Sequence, residues 1–201
     1  MSINHVFIIT TDLRPFSFVL QEGVGLKVDP GCTLKQLIRD SCGISSDYIE
    51  ERVKTAFINQ KPVDNFDTAI VHDQDTIGLS GAMPGLVGAT LRKNSVLSPF
   101  RSSISYLKTS DNACESDKNY GTVTLKLFNL LIKEIGPTLL KKGVLIQGEL
   151  LKKILETEGS KKESVIKAVM LNSQKQQWNI GNIFWNINKD KTVLLEVKLQ
   201  K

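Results

Sequence analysis

The sequence predicts an α+β chain of two small domains, and three observations carry that prediction. Two short runs rich in β-branched and aromatic residues, 54–58 and 76–80, are each bounded by turn-forming residues. A helix with a complete start signal precedes them, Thr33 followed three residues later by Gln36. The charge balance changes near Asn119: residues 1–119 hold 12 basic and 14 acidic side chains, a net of −2, while 120–201 hold 14 and 7, a net of +7. With 201 residues the chain can bury a sizeable core without disulfide or metal staples. The expected division is a first domain over 1–101, a linker or exposed loop over 102–119, and a Lys-rich α+β domain over 120–201.

In chain order, 6–9 (VFII) reads as a first strand and 16–20 (FSFVL), after Pro15, as a second. Residues 25–28 then alternate apolar and polar until Pro30 stops them. From Thr33 the apolar residues Leu34, Leu37 and Ile38 fall on one helical face, and Gly43 is placed to end the helix in a left-handed conformation. A short helix capped by Asp47 leads to strand 54–58. A tight turn follows at Asn59-Gln60-Lys61, then a short strand opened by Pro62-Val63, an Asp-rich connection, and a closing strand at 76–80.

The stretch VKTAFINQKPVDNFDTAIVHDQDTIGLSG, 53–81, resembles the second half of the ubiquitin-like β-grasp fold, in the form of the small sulfur carriers of thiamine and molybdopterin synthesis. The resemblance implies a mixed sheet of order ββαββ, crossed by one main helix, over residues 4–81. It also implies a departure. Sulfur carriers end in a free Gly-Gly whose carboxylate is activated, whereas here no diglycine occurs and the chain continues through Gly81, Gly85 and Gly88. Carrier chemistry would require a cut after one of those glycines.

Residues 82–100 carry Met83, Leu86, Val87, Leu91, Val96, Leu97 and Phe100, with only Arg92 and Lys93 to solvate them. A run of this composition needs cover from the protein or from another chain. The expectation is internal packing for Leu86 and Val87, near the sheet, and a surface for another protein or a second copy at 96–100.

In the second half, 122–127 alternates strictly and reads as a strand. Asn129 is placed to cap a helix carrying Leu130, Leu131 and Ile135, Pro137 opens a further helical turn closed by Gly143, and 144–146 is too short to assign. Helices are expected over 149–158 and 163–172, and a closing hairpin over 183–187 and 193–199. This half resembles no family.

The chemistry is sparse. His72 among Asp64, Asp67, Asp73 and Asp75 matches no metal-binding spacing and reads as a solvated loop with Asx turns. The glycines at 81, 85 and 88 fit neither phosphate-loop pattern. Cys32 opens a helix, where the dipole favours thiolate, but a structural thiol is the plainer role. Trp178 and Trp185 read as core. All five arginines lie in the first half, so the basic second half lacks the side chain that forks onto phosphate and guanine. Weak, sequence-independent attraction to polyanions is all that half would offer. Three cysteines without a pairing pattern, no signal-peptide signature and no long apolar run give the expectation of a cytoplasmic protein away from membranes. The expected function is a non-enzymatic interaction module accessory to an enzyme system, with no catalytic residue, cofactor or metal; a carrier-like role after cleavage in 81–88 is the alternative.

Overall fold

The first apolar run forms strand β1 (Asn4–Thr10), with Val6 and Ile8 fully buried on one face. The second run departs from expectation. In this computed structural model, which describes residues 3–107, 120–156, 165–176 and 190–200, positions 16–20 are helical and not extended. Pro15 lies in a 3₁₀ turn (Arg14–Phe16) that runs into helix α1 (Ser17–Glu22). Its fixed φ suits a first turn, and Phe16, Val19 and Leu20 then fall at helical spacing and are buried. Gly23, at φ 121°, ends the helix, and β2 (Val24–Val28) follows.

Helix α2 (Leu34–Asp40) has the expected capping box. Thr33 Oγ1 accepts from the Gln36 amide at 3.2 Å, and Gln36 Oε1 accepts from the Thr33 amide at 2.8 Å. Helix α3 (Ser46–Arg52) is capped by Ser45, whose Oγ accepts from the Tyr48 amide; Asp47, expected as the cap, sits in the first turn instead. Strand β3 (Thr55–Ile58) turns through Asn59 and Gln60, both at positive φ, into β4 (Lys61–Pro62). Strand β5 (Thr76–Ser80) occupies the expected residues. Beyond it come α4 (Gly85–Leu91) and a 3₁₀ helix (Ser98–Ile104).

The second half gives β6 (Gly121–Phe128), α5 (Leu130–Glu134), α6 (Gly136–Lys142), β7 (Val144–Gln147), α7 (Gly148–Glu156), β8 (Ile166–Leu171), β9 (Gln174–Gln176) and β10 (Thr192–Leu199). Two expectations fail here. Asn129 makes no capping bond; at φ 56° its side chain donates to Ser80 Oγ at 2.9 Å. The helix expected over 163–172 is strand β8, its described residues paired with β1 in the register Ile8↔Val169. Val165, Ile166 and Val169 satisfy helical spacing, but their β-branched side chains suit a paired strand, and the partner strand decides. Residues 183–187, Trp178, Trp185 and Cys114 lie outside the described residues.

The chain is α+β and forms two compact units: Met1–Val24 with Gly136–Lys201, and Gly25–Ile135. The division therefore does not fall between 101 and 120, where composition placed it. Strand β1 belongs with the second half of the chain, and β6 belongs with the first. In the unit of residues 25–135 the strand order is β4-β3-β5-β6-β2, with β3 antiparallel to β4 and β5, and β5 parallel to β6. In the other unit the order is β7-β10-β1-β8-β9, with β10 antiparallel to β7 and parallel to β1, β1 antiparallel to β8, and β8 antiparallel to β9.

These are the same plan, and local details repeat it. Burial along 19–30 and 139–150 matches at every position. Gly23 and Gly143, at φ 121° and 93°, each stand between a helix and the strand after it. The Asn59-Gln60 turn has φ values of 48° and 67°, and the Asn172-Ser173 turn has 48° and 68°. Asn59 Oδ1 accepts from the Thr76 amide at 2.9 Å while its own amide donates to the Thr76 carbonyl at 2.8 Å. Asn172 makes the same pair of bonds to His5, both at 2.8 Å. Asparagine suits the position because it tolerates left-handed dihedrals and its side chain extends the ladder by one bond.

Candidate interaction surface

Residues 82–107 follow the last strand of the resemblance, and their sequence dictates an irregular path. Pro84 and Gly85, the latter at φ 77°, start α4, and a Cβ on Gly88 would collide with the Met83 carbonyl, so only glycine permits that close approach. Pro99 sits in the first turn of the 3₁₀ helix, which packs against α4. The segment is then tied down at intervals. The Lys93 amide donates to the Lys54 carbonyl at 2.9 Å, the Tyr106 amide to the Pro62 carbonyl at 2.8 Å, and the Tyr106 hydroxyl to the Ile70 carbonyl at 2.7 Å.

Its cations make the strongest attachments. Arg101 is 2% exposed. Its guanidinium forks onto Asp64 at 3.0 and 2.5 Å, donates through Nε to the Thr90 carbonyl at 2.6 Å, and reaches Ser105 Oγ at 2.7 Å. This is bidentate, charge-assisted pairing of a buried guanidinium with a half-exposed carboxylate. Lys93, 9% exposed, donates to Glu50 Oε2 at 3.0 Å and lies 4.6 Å above the centre of the Phe66 ring. Lys93 was expected to solvate the run; it is buried because Glu50 and Phe66 receive it.

The apolar side chains do the opposite. Val96 is 90% exposed, Phe100 83%, Leu86 75%, Leu107 73%, Val87 70% and Ile104 53%. Met83, Leu91 and Leu97 are half-buried. The expected division between buried and exposed positions is thus half wrong: Leu86 and Val87 face solvent along with Val96 and Phe100. The reason is visible in α4, a two-turn helix whose inward side is taken up by Gly88 against Met83. Leu86→Asp is accordingly expected to leave unfolding free energy within about 0.5 kcal/mol of wild type, as surface changes do, measured by urea denaturation.

Glu50 is shared by Lys93 and Lys35, and those two hydrogen bonds, Lys93 first, hold its carboxyl below the ordinary value. A depressed folded-state pKa contributes stability that is present above the unfolded value, about 4.3, and is lost as pH falls through the folded one. Acidification below about pH 4 should therefore raise amide exchange at Lys93 before the sheet of this unit opens. Equal protection at pH 3 and pH 6, after correction for intrinsic exchange, would contradict the attachment.

Other candidates come to less. Asp75, 7% exposed, accepts from Asn59 Nδ2 at 2.6 Å and from the His72 amide at 2.8 Å, and Asn65 Oδ1 accepts from the Asp67 amide at 2.9 Å, so the Asp-rich loop is organised by its own turns. Among the described residues, no group of three His, Cys, Asp or Glu side chains is placed to hold a metal ion. Cys42 is buried, and burial, with Asp29 nearby, pushes the half-buried Cys32 thiol up, away from reactivity. Tyr48 and Arg52 both bond Glu134, and burial together with that carboxylate pushes the Tyr48 hydroxyl up to about 12. Gly81 and Gly88 are buried and Gly85 is exposed. No helix of the described residues is long and apolar enough to cross a membrane.

Sequence reasoning missed Arg101, Asp64 and Tyr106 as anchors. One signal was available: residues 82–107 contain no acidic side chain, so their cations had to find carboxylates elsewhere. Comparison of the chain with protein-family models, with curated proteins and with solved structures finds no match.

Proposed function

We propose that the chain is a non-enzymatic β-grasp protein-interaction module, accessory to a cytoplasmic enzyme system, that binds through the outer face of residues 82–107. The observation that carries the reading is inverted polarity: the segment buries Arg101 and Lys93 and leaves Leu86, Val87, Val96 and Phe100 in solvent. Water favours the reverse arrangement, so the exposed side chains are best explained by a use outside the chain. The β-grasp part of the proposal draws support from the order β4-β3-β5-β6-β2 with its parallel β5 and β6 pair, and from the capped helix α2 between β2 and β3. A photo-crosslinking residue placed at position 100 should form an adduct with another chain in cells, while the same residue at exposed position 51 should not. Equal yields at both positions, or none at 100, would dismiss the surface. The carrier-like alternative requires a cut after Gly81, Gly85 or Gly88, of which Gly85 is exposed, and finding only full-length mass in protein from its own cells would remove it.

A further inference from the structure

Resting on that reading, the geometry points to a second copy of this chain as the occupant of the surface: we propose that the outer face of residues 82–107 is an isologous dimer contact. Three observations select this partner. The first is area. Leu86, Val87, Val96, Phe100, Ile104 and Leu107, at 53–90% exposure, present on the order of 700 Å², against ~800 Å² per partner in a standard interface.

The second is chemistry. In a two-fold contact the patch meets itself and must be self-complementary. A patch of one charge sign fails that condition, whereas an apolar one meets it automatically. Residues 82–107 contain no acidic side chain; of their three cations, Arg101 and Lys93 are withdrawn onto Asp64 and Glu50, and Arg92 is the exposed charge. Nothing in the segment asks for an oppositely charged partner. An acidic peptide or an anionic lipid surface would call for a cationic rim, and the inward pairing has removed most of it.

The third is rigidity. Leu86 and Val87 sit on α4 and Phe100 and Ile104 on the 3₁₀ helix, with Val96 and Leu107 just before and after the latter. The two helices pack on each other and the segment is fastened through Arg101, Lys93 and Tyr106, so little ordering is needed when two copies meet. The net charge of +5 per chain sets a weak mutual repulsion. Added salt screens it, so the dimer should tighten as salt rises, opposite to binding of a polyanion.

Sedimentation equilibrium on the full chain decides the matter. The expected result is a concentration-dependent shift between the mass of one 22.3 kDa chain and twice that mass, strengthened at high salt, with Val96→Asp and Phe100→Asp each weakening association about tenfold or more at unchanged melting temperature. A single-chain mass up to hundreds of micromolar would overturn the dimer while leaving the surface open to a different protein. A dimer indifferent to both substitutions would also overturn it. If both substitutions lower the melting temperature by many degrees, the side chains are internal packing, and the interaction reading falls with the dimer.

Discussion

Replacing Arg101 with methionine is expected to release residues 82–106 from the unit that carries them. The guanidinium is 2% exposed and is the common partner of Asp64, the Thr90 carbonyl and Ser105 Oγ. Methionine keeps much of the stem and removes every donor, so the carbonyl is left without its bond and the carboxylate without its charge partner. Breaking a fully buried pair costs about 3–5 kcal/mol, and because the Asp64 side chain is 43% exposed and regains water, about 3 kcal/mol is the fitting figure. That corresponds to roughly a hundredfold loss of amide-exchange protection at Lys93 and Tyr106, since each factor of ten is about 1.4 kcal/mol. Protection along β3 and β5 should change far less, because neither strand uses Arg101 for its ladder. Unchanged exchange at Lys93 would show that the segment is held by its other attachments alone.

Splitting the chain between 119 and 120 is expected to leave neither piece folded, although that is where composition marks a boundary. The piece 1–119 keeps β3, β4 and β5 but loses β6, the parallel neighbour of β5 from Thr76 to Ser80. It also holds β1, which lies between β8 and β10 and would have nothing to pair with, leaving the buried Val6 and Ile8 without cover. The piece 120–201 lacks β1, the strand that joins β8 to β10. Circular dichroism and amide dispersion should show two unfolded or aggregating fragments, and mixing them should restore a cooperative transition. A fragment 24–135, which contains β2 to β6 whole, is expected to keep dispersed amide signals alone. A cooperative melt from 1–119 by itself would contradict the strand assignment.

Local signals made parts of this fold legible before any coordinates. The Thr33–Gln36 box, the turn at Asn59, the closing strand 76–80 and the alternation at 122–127 all act through residues a few positions apart, and each element is present. The misreadings came where two periodicities fit one string. FSFVL has the apolar and aromatic content of a strand, but Pro15 and Gly23 frame a helix; residues 165–170 show helical spacing, but β1, some 160 positions earlier, makes 166–171 a strand. The candidate surface was half legible for the same reason. Its apolar composition was plain, whereas its direction depends on Arg101 finding Asp64, 37 residues back, which no local rule encodes.

The placement of β1 also sets an order of events during synthesis. Its pairing with β10 runs from Asn4↔Val193 to Thr10↔Leu199, joining residues 189 apart in sequence. At about 5–20 residues per second, β1 leaves the ribosome roughly 10–40 s before its parallel neighbour. During that interval the unit 25–135 can close, since all its strands have emerged, while Val6 and Ile8 stay without cover. Strand β1 is thus where a chaperone would find apolar side chains waiting for cover, and the late arrival of β10 makes the closing step a slow, long-range one.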